Sequence, residues 1–260
     1  MPLDETIITA YLCLWLGISG AVWGSFAGCA VSRWAAGERM FVGRSRCASC
    51  RHTLRAIDLV PVFSWLFRRG RCGYCGEKIP ADCLAAELAG AAGFVCIGLR
   101  LGPVLELGQW LIWAGLLLCL SLTDAAKRII PDKLLLALAV NRAVWLLALG
   151  QDLRREGAVI LLACAVPAAL LVLILLAEKA VGRELMGGGD IKLLFALALY
   201  LSWAQLLLAL LAGCLTGLVW AAAAGQKRGG AVPFGPFLAA GAALTVCFGD
   251  PVIQWYVSLF

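Results

Sequence analysis

Six side chains in this sequence have the types and spacing that chemistry requires, and four of them are cysteines. Cys47-Ala48-Ser49-Cys50 is followed, after twenty-one residues, by Cys72-Gly73-Tyr74-Cys75. Thiolates two residues apart can bind one metal ion, and two such knuckles supply the four tetrahedral ligands that zinc prefers. A site closed by four protein ligands is structural rather than catalytic. Arg46, Arg51 and Arg71 flank the knuckles and favour ionised thiols, while Gly73 and Gly76 suit the tight second turn. The rival reading is a pair of disulfides, which a reducing compartment disfavours. His52 is the single histidine, and with four thiols at hand it is read as a surface residue.

The other two side chains are carboxylates. Asp124 opens the run Asp124-Ala125-Ala126-Lys127-Arg128-Ile129-Ile130-Pro131-Asp132, and Asp190 stands in Gly187-Gly188-Gly189-Asp190-Ile191-Lys192. Two carboxylates brought near each other share a proton. The ionised one can then take a proton from water while the other donates to a carbonyl, with no metal or covalent nucleophile. A Ser-His or Cys-His system is not found, because the one histidine lies beside the cysteines. Gly187, Gly188 and Gly189 leave the second carboxylate uncrowded and open to an extended backbone. With Lys192 they form the candidate substrate-approach segment. The plain alternatives are a solvated helix end for each aspartate and a flexible loop ahead of a helix for the glycines.

The elements that must position these groups are apolar. The chain is 62% hydrophobic and only 15% charged, against about 25% charged in soluble domains. Residues 6–32, 107–123, 157–177, 193–226 and 231–249 carry no charge. They are long enough for membrane helices and lack the alternation of barrel strands. The predicted fold is therefore an all-α polytopic integral membrane protein. Residues 33–82 form the one large polar segment, with ten basic and four acidic residues, so its net charge is 10 − 4 = +6, equal to that of the whole chain. A short basic loop stays in the cytoplasm, and tethering at both ends argues against a nucleic-acid surface.

From that anchor about eight helices follow, at 7–32, 83–101, 105–123, 133–150, 157–181, two within 191–224 divided near Ser202-Trp203, and 232–249. Both termini then lie outside, and Asp124 and Asp190 both fall at cytoplasmic helix ends. Lys227 and Arg228 agree with this threading; Arg154 and Arg155 in an outside loop run against it. Asp4 and Glu5 precede the first span, which is expected to be a retained helix rather than a cleaved leader. The domain reading is a first transmembrane helix (1–32), a cytoplasmic zinc-binding loop (33–82) and a membrane-embedded helical bundle (83–260). The apolar run Leu59–Phe67 is too short to span and is expected on the membrane surface or against the helices. Arg142 falls midway along a span, where a charge costs about 2.5–3.5 kcal/mol; it is expected either to snorkel or to face the interior in a polar cavity, where it could pair with an acid or hold an anionic group of a substrate. The eight remaining cysteines are read as small packing residues.

Taken in order, these motifs resemble the prepilin peptidase (type IV leader peptidase) family. Gly24-Ser25-Phe26 is similar to the family's opening motif, and the paired knuckles to its cysteine loop. Asp58-Leu59-Val60-Pro61, Ser64-Trp65-Leu66 and Arg69-Gly70-Arg71-Cys72 resemble the segments between them. Glu87 matches an acid at the start of the second helix. Asp124–Asp132 and Gly187–Lys192 resemble the two catalytic motifs, and Val232–Phe237 a late signature. The resemblance implies an aspartic endopeptidase of the bacterial inner membrane, with Asp124 and Asp190 as the catalytic pair. It implies cleavage of basic leaders from prepilin and pseudopilin precursors at the cytoplasmic face. It also implies methylation of the new N-terminal residue from S-adenosylmethionine. The rival classes are another intramembrane aspartic protease, which would lack the cysteine loop, and a non-enzymatic scaffold or transporter carrying a zinc loop.

Overall fold

A computed structural model describes residues 2–38, 43–182, 185–223 and 233–259. Arg39, Lys227, Arg228 and Val232, on which parts of the sequence reading fell, lie outside the described residues. Among the described residues the chain forms nine α-helices and no extended strand. They are α1 (Pro2–Ala35), α2 (Phe63–Phe67), α3 (Ala81–Leu101), α4 (Leu107–Lys127), α5 (Asp132–Ala148), α6 (Leu153–Val181), α7 (Gly188–Ala198), α8 (Trp203–Ala223) and α9 (Gly235–Val257), with a 3-10 turn at Ala56–Leu59.

All but α2 correspond to the eight expected spans. Six of them, α1, α3, α4, α6, α8 and α9, are long and apolar enough to cross a membrane. The break near Ser202-Trp203 falls between α7 and α8 as the sequence indicates. The difference is one of length. At about 1.5 Å per residue, the 17 residues of α5 reach almost across a core of about 30 Å. The 11 residues of α7 reach about half way. The protein is thus a multi-pass membrane protein containing one half-length helix. Two compact units divide the chain, Met1–Ala126 and Lys127–Phe260.

In the first unit α1 lies against α3 at backbone distance. Gly20 and Gly24 of α1 face Ala86, Glu87 and Gly90 of α3, and a Cβ at Gly24 would stand 2.8 Å from Glu87 Cα. Where lipid removes the hydrophobic drive between helices, such small residues allow the close packing that holds them. The Gly24 of the opening motif is therefore a contact surface for α3. On α4, Gly115 accepts a hydrogen bond from Trp23 Nε1 of α1 at 3.1 Å, above a buried stripe of Trp113, Leu117 and Leu120.

In the second unit α8 and α9 approach in the same way, through Ala209 and Gly213 against Leu238 and Gly241. The half-length α7 is the most enclosed element here, with Leu193, Leu194, Ala196, Leu197 and Ala198 all buried. The turn that follows meets some of its last carbonyls, with Leu199 N donating to Ala196 O at 3.4 Å and Leu201 N to Leu197 O at 3.0 Å, but the end of a helix leaves others in need of a partner. Arg142 of α5 meets this need. Its Nε donates to Leu199 O at 2.9 Å, and its guanidinium pairs with Glu156, in the first turn of α6, at 2.6 Å. Tyr200 completes the clamp, accepting from Asn141 Nδ2 at 2.9 Å and donating to Leu138 O at 2.7 Å. Arg142 therefore faces inward, where it pairs with an acid and caps a helix end.

The eight scattered cysteines are half-buried or exposed on their helices, and no cysteine is in a disulfide. None belongs to the innermost core, so these thiols line apolar helix surfaces.

Two predictions follow from this packing. Gly24→Leu forces α1 off α3 and is expected to cost about 2–3 kcal/mol, measured as a lowered unfolding midpoint in detergent. Arg142→Leu strands Glu156 and the Leu199 carbonyl and is expected to cost about 1–3 kcal/mol. Arg142→Lys, which keeps the charge but cannot make both contacts, should fall between; equal midpoints for all three proteins would refute the clamp.

Candidate metal centre and carboxylate motifs

The two cysteine knuckles are built alike. In the first, Cys47 N donates to His52 O at 3.0 Å and Arg51 N to Cys47 O at 3.1 Å; in the second, Cys72 N donates to Glu77 O at 2.8 Å and Gly76 N to Cys72 O at 2.9 Å. Antiparallel pairing of Arg46 with Thr53 and of Arg71 with Lys78 closes each turn. The residue after each second cysteine is left-handed, Arg51 at φ 60° and Gly76 at φ 74°. Repeating this turn aims four thiols inward, and the ligand atoms of Cys47, Cys50, Cys72 and Cys75 lie within 4.8 Å of one another.

The donor set fits a tetrahedral ion. Zinc–sulfur bonds of about 2.3 Å require sulfur–sulfur separations of about 3.8 Å, and Cys47 Sγ lies 3.9 Å from Cys75 Sγ. The Cys72 thiol is drawn down to about 7, chiefly by the Tyr74 and Cys75 amides. The Glu77 amide pulls Cys75 the same way, but desolvation and the neighbouring thiols Cys50, Cys72 and Cys47 push it up to about 12. Four thiolates at this spacing repel, and a dication among them makes them compatible. His52 is not part of the set; its ring is stacked on Tyr74 with centroids 3.7 Å apart.

Asp58 ties the segment between the knuckles to the second one. Its carboxylate accepts from Arg55 N at 3.0 Å, from Tyr74 Oη at 3.0 Å and from Arg68, with which it forms an ion pair. The Arg55 amide is the main reason its carboxyl lies below the usual carboxylate range, with Tyr74 and Arg68 acting in the same direction against partial burial. A second carboxylate ties the loop to the membrane helices. Glu87, buried on α3, accepts from Val62 N at 2.6 Å. Val62 is held at φ 63°, a conformation costly for a β-branched residue. Both acids were visible in the sequence as parts of motifs, but only their contacts reveal what they hold.

Asp124 stands in the last turn of α4 and is buried. Arg128, left-handed at φ 55°, ends that helix, and Pro131 caps the start of α5. Asp190 is in the first turn of α7, half-buried. The tail of the first carboxylate motif meets the second motif directly. Lys192 Nζ donates to Asp132 Oδ1 at 2.7 Å, and a Cβ at Gly189 would press on Ile130 at 3.3 Å. The three glycines are therefore not equivalent. Gly189 is needed for this contact, Gly187 lies against the Asp190 carboxylate, and Gly188 has open space on its side-chain face.

A chain of membrane helices with a four-thiol loop and two carboxylate motifs joined at their ends defines a membrane-embedded peptidase class, and comparison with known proteins agrees. Residues 18–101 match the bacterial peptidase A24 N-terminal domain, and residues 111–222 match the type IV leader peptidase family. A prepilin leader peptidase/N-methyltransferase of Bacillus subtilis (strain 168) is 34% identical over 251 residues, covering 94% of this chain and 97% of its own. Proteins of the same name from Dichelobacter nodosus and Burkholderia pseudomallei (strain 1026b) are 34% and 37% identical, over 84% and 86% of this chain and 75% and 74% of theirs. The chain belongs to the type IV leader peptidase family. No solved structure matches it.

The metal centre makes its own prediction. Cys72→Ser with Cys75→Ser should abolish stoichiometric zinc, read by elemental analysis of the purified protein, whereas His52→Ala should leave it unchanged. Full zinc content in the double variant would reject the four-thiol site.

Proposed function

We propose that this protein is a membrane-embedded aspartic endopeptidase. It removes the basic leader from prepilin or pseudopilin precursors and methylates the new N-terminal residue. The observation that carries the reading is the junction of the two carboxylate motifs at Ile130–Gly189 and Asp132–Lys192, in a chain whose relatives carry the double name prepilin leader peptidase/N-methyltransferase.

Asp124 and Asp190 are the catalytic pair. Helix dipoles distinguish them: Asp190 sits at the positive N-terminal end of α7 and Asp124 at the negative C-terminal end of α4. Asp190 accordingly acts as the base, taking a proton from water as the water oxygen bonds to the scissile carbonyl carbon. Asp124 donates its proton to the carbonyl oxygen. Collapse of the tetrahedral species breaks the C–N bond, and the leaving nitrogen takes up a proton as the pair returns to its starting state. Gly187, Gly188, Gly189 and Lys192 form the approach for the extended substrate backbone, and the open face at Gly188 gives it room.

The basic segment 33–82 supports placing the loop, and with it both catalytic motifs, at the cytoplasmic face of the bacterial inner membrane. In this reading 1–32 is the first membrane helix, 33–82 the zinc loop and 83–260 the peptidase bundle. Cys47, Cys50, Cys72 and Cys75 would hold zinc, which supplies a rigid cross-link rather than chemistry. Methylation draws its group from S-adenosylmethionine. The apolar groove of about 450 Å³ lined by Leu162, Val166, Leu170, Trp203 and Leu207 does not fit that cofactor, whose ribose and adenine need polar partners, and no residue is assigned to it.

Purified protein should convert a pilin-like precursor to its leaderless form by mass, with one added methyl when S-adenosylmethionine is present. Asp124→Asn and Asp190→Asn should each lose cleavage by at least about 10³-fold, as removal of an acid–base partner does. Retained cleavage in either folded variant would remove that residue from the mechanism. No cleavage of several precursors by the folded wild-type protein would leave the rival reading, a zinc-loop scaffold or transporter.

A further inference from the structure

The apolar segment of the cysteine loop is fixed at the height of a bilayer surface. Val62, just ahead of α2, is bound to Glu87. Glu87 is six residues into α3 from Ala81, about 9 Å along the helix axis. α3 has 21 residues, about 30 Å, which is roughly the thickness of the hydrocarbon core it crosses. The Val62–Glu87 bond therefore holds α2 alongside the outermost two turns of a spanning helix, within the zone of headgroups and upper acyl chains.

The surface that α2 presents there is apolar. Phe63, Leu66 and Phe67 stand at i, i+3 and i+4, on one face of the helix, and Phe67 is 93% exposed. Ile57, in the preceding 3-10 turn, extends the same exposed set. Among the described residues these side chains stay exposed. On the other side Trp65 packs over Gly70, whose Cβ would lie 2.7 Å from its ring, so the helix cannot roll to hide its phenylalanines. In the same segment Arg55, Arg69 and Arg71 are exposed, Arg71 also donating to Gly76 O at 3.3 Å, whereas Arg68 is committed to Asp58. Aromatic rings at the interface with cationic side chains just above them are the arrangement of an interfacial helix on anionic lipid.

We propose that α2 is a membrane-inserted anchor: Ile57, Phe63, Leu66 and Phe67 enter the leaflet beside α3, and Arg55, Arg69 and Arg71 bind the headgroups of anionic phospholipids. This inference rests on α3 crossing the bilayer and not on the peptidase reading, so either can fail alone. Lipid is favoured over the apolar helix of a precursor because the Val62–Glu87 bond holds the patch beside a spanning helix and the exposed arginines of the same segment complement anionic headgroups.

The test places the photoreactive residue p-benzoylphenylalanine at position 67 of the full-length protein. Phe67 is nearly fully exposed, so the exchange leaves the packing intact, which unchanged zinc content checks. The protein is reconstituted in phosphatidylcholine vesicles with or without phosphatidylglycerol and irradiated. The expected product is a lipid adduct at residue 67, several-fold more abundant with phosphatidylglycerol, with that excess lost in Arg55→Gln/Arg69→Gln/Arg71→Gln. Adducts to another part of the protein, or none, would overturn the anchor. Adducts that switch from lipid to an added pilin-like precursor would assign the patch to substrate instead. Lipid adducts insensitive to lipid charge would overturn the headgroup contact.

Discussion

In hydrocarbon, a backbone amide or carbonyl without a partner costs several kcal/mol, and every polar side chain buried among these helices can be read against that cost. A continuous helix satisfies itself, so α1 and α8 need no polar support within their spans. Support is placed where the backbone stops being regular. The half-length α7 ends among buried residues, and there Arg142 takes the Leu199 carbonyl. Ser202 and Gln205 hold the turn into α8, with Gln205 braced on Asp250 of α9 at 2.8 Å. Val62, with its unfavourable φ, gives its amide to Glu87. Arg142, Gln205 and Glu87 are in this sense repairs to irregular backbone.

Close helix contacts answer the same constraint differently. Because lipid tails are as apolar as leucine, large side chains gain little by turning toward a neighbouring helix. The contacts that matter are those where small residues let backbones meet: Gly20 and Gly24 on α3, Gly213 and Gly241 between α8 and α9. Gly189 belongs with them, since its lack of a side chain admits Ile130. A glycine inside a motif that bears a carboxylate is thus in part a packing residue, while Gly188, open on its side-chain face, is the one left free for another chain.

These two principles explain what was legible in the sequence. Uncharged stretches and the basic loop reveal helices and their number, because hydropathy and charge are read locally. The break at Ser202-Trp203 was legible for the same reason: the stretch was too long for one span. The cysteine spacing announced the metal centre because thiols two residues apart leave few alternatives. The partners of Arg142, Asp58 and Glu87 were not legible. Each is a contact across tens of residues or between a side chain and a backbone group, with no periodicity to mark it. For Arg142 the sequence allowed an acid partner at mid-span, but it did not show which acid, nor the short helix whose end that charge caps.

The loop contacts form one mechanical chain within the first unit. The four thiols hold the two knuckles together. Tyr74, inside the second knuckle, holds Asp58, and Asp58 fixes the turn that leads into Val62. Val62 is fastened to Glu87 on α3, and α3 is locked to α1 by glycines on both helices. At the other end, the Cys29 and Ser45 side chains meet at 3.8 Å, joining α1 to the segment entering the first knuckle. A metal ion at the cysteines therefore does more than close two turns. Bound there, it would complete a circuit that begins and ends on the α1–α3 pair, through four sulfur atoms and one buried glutamate.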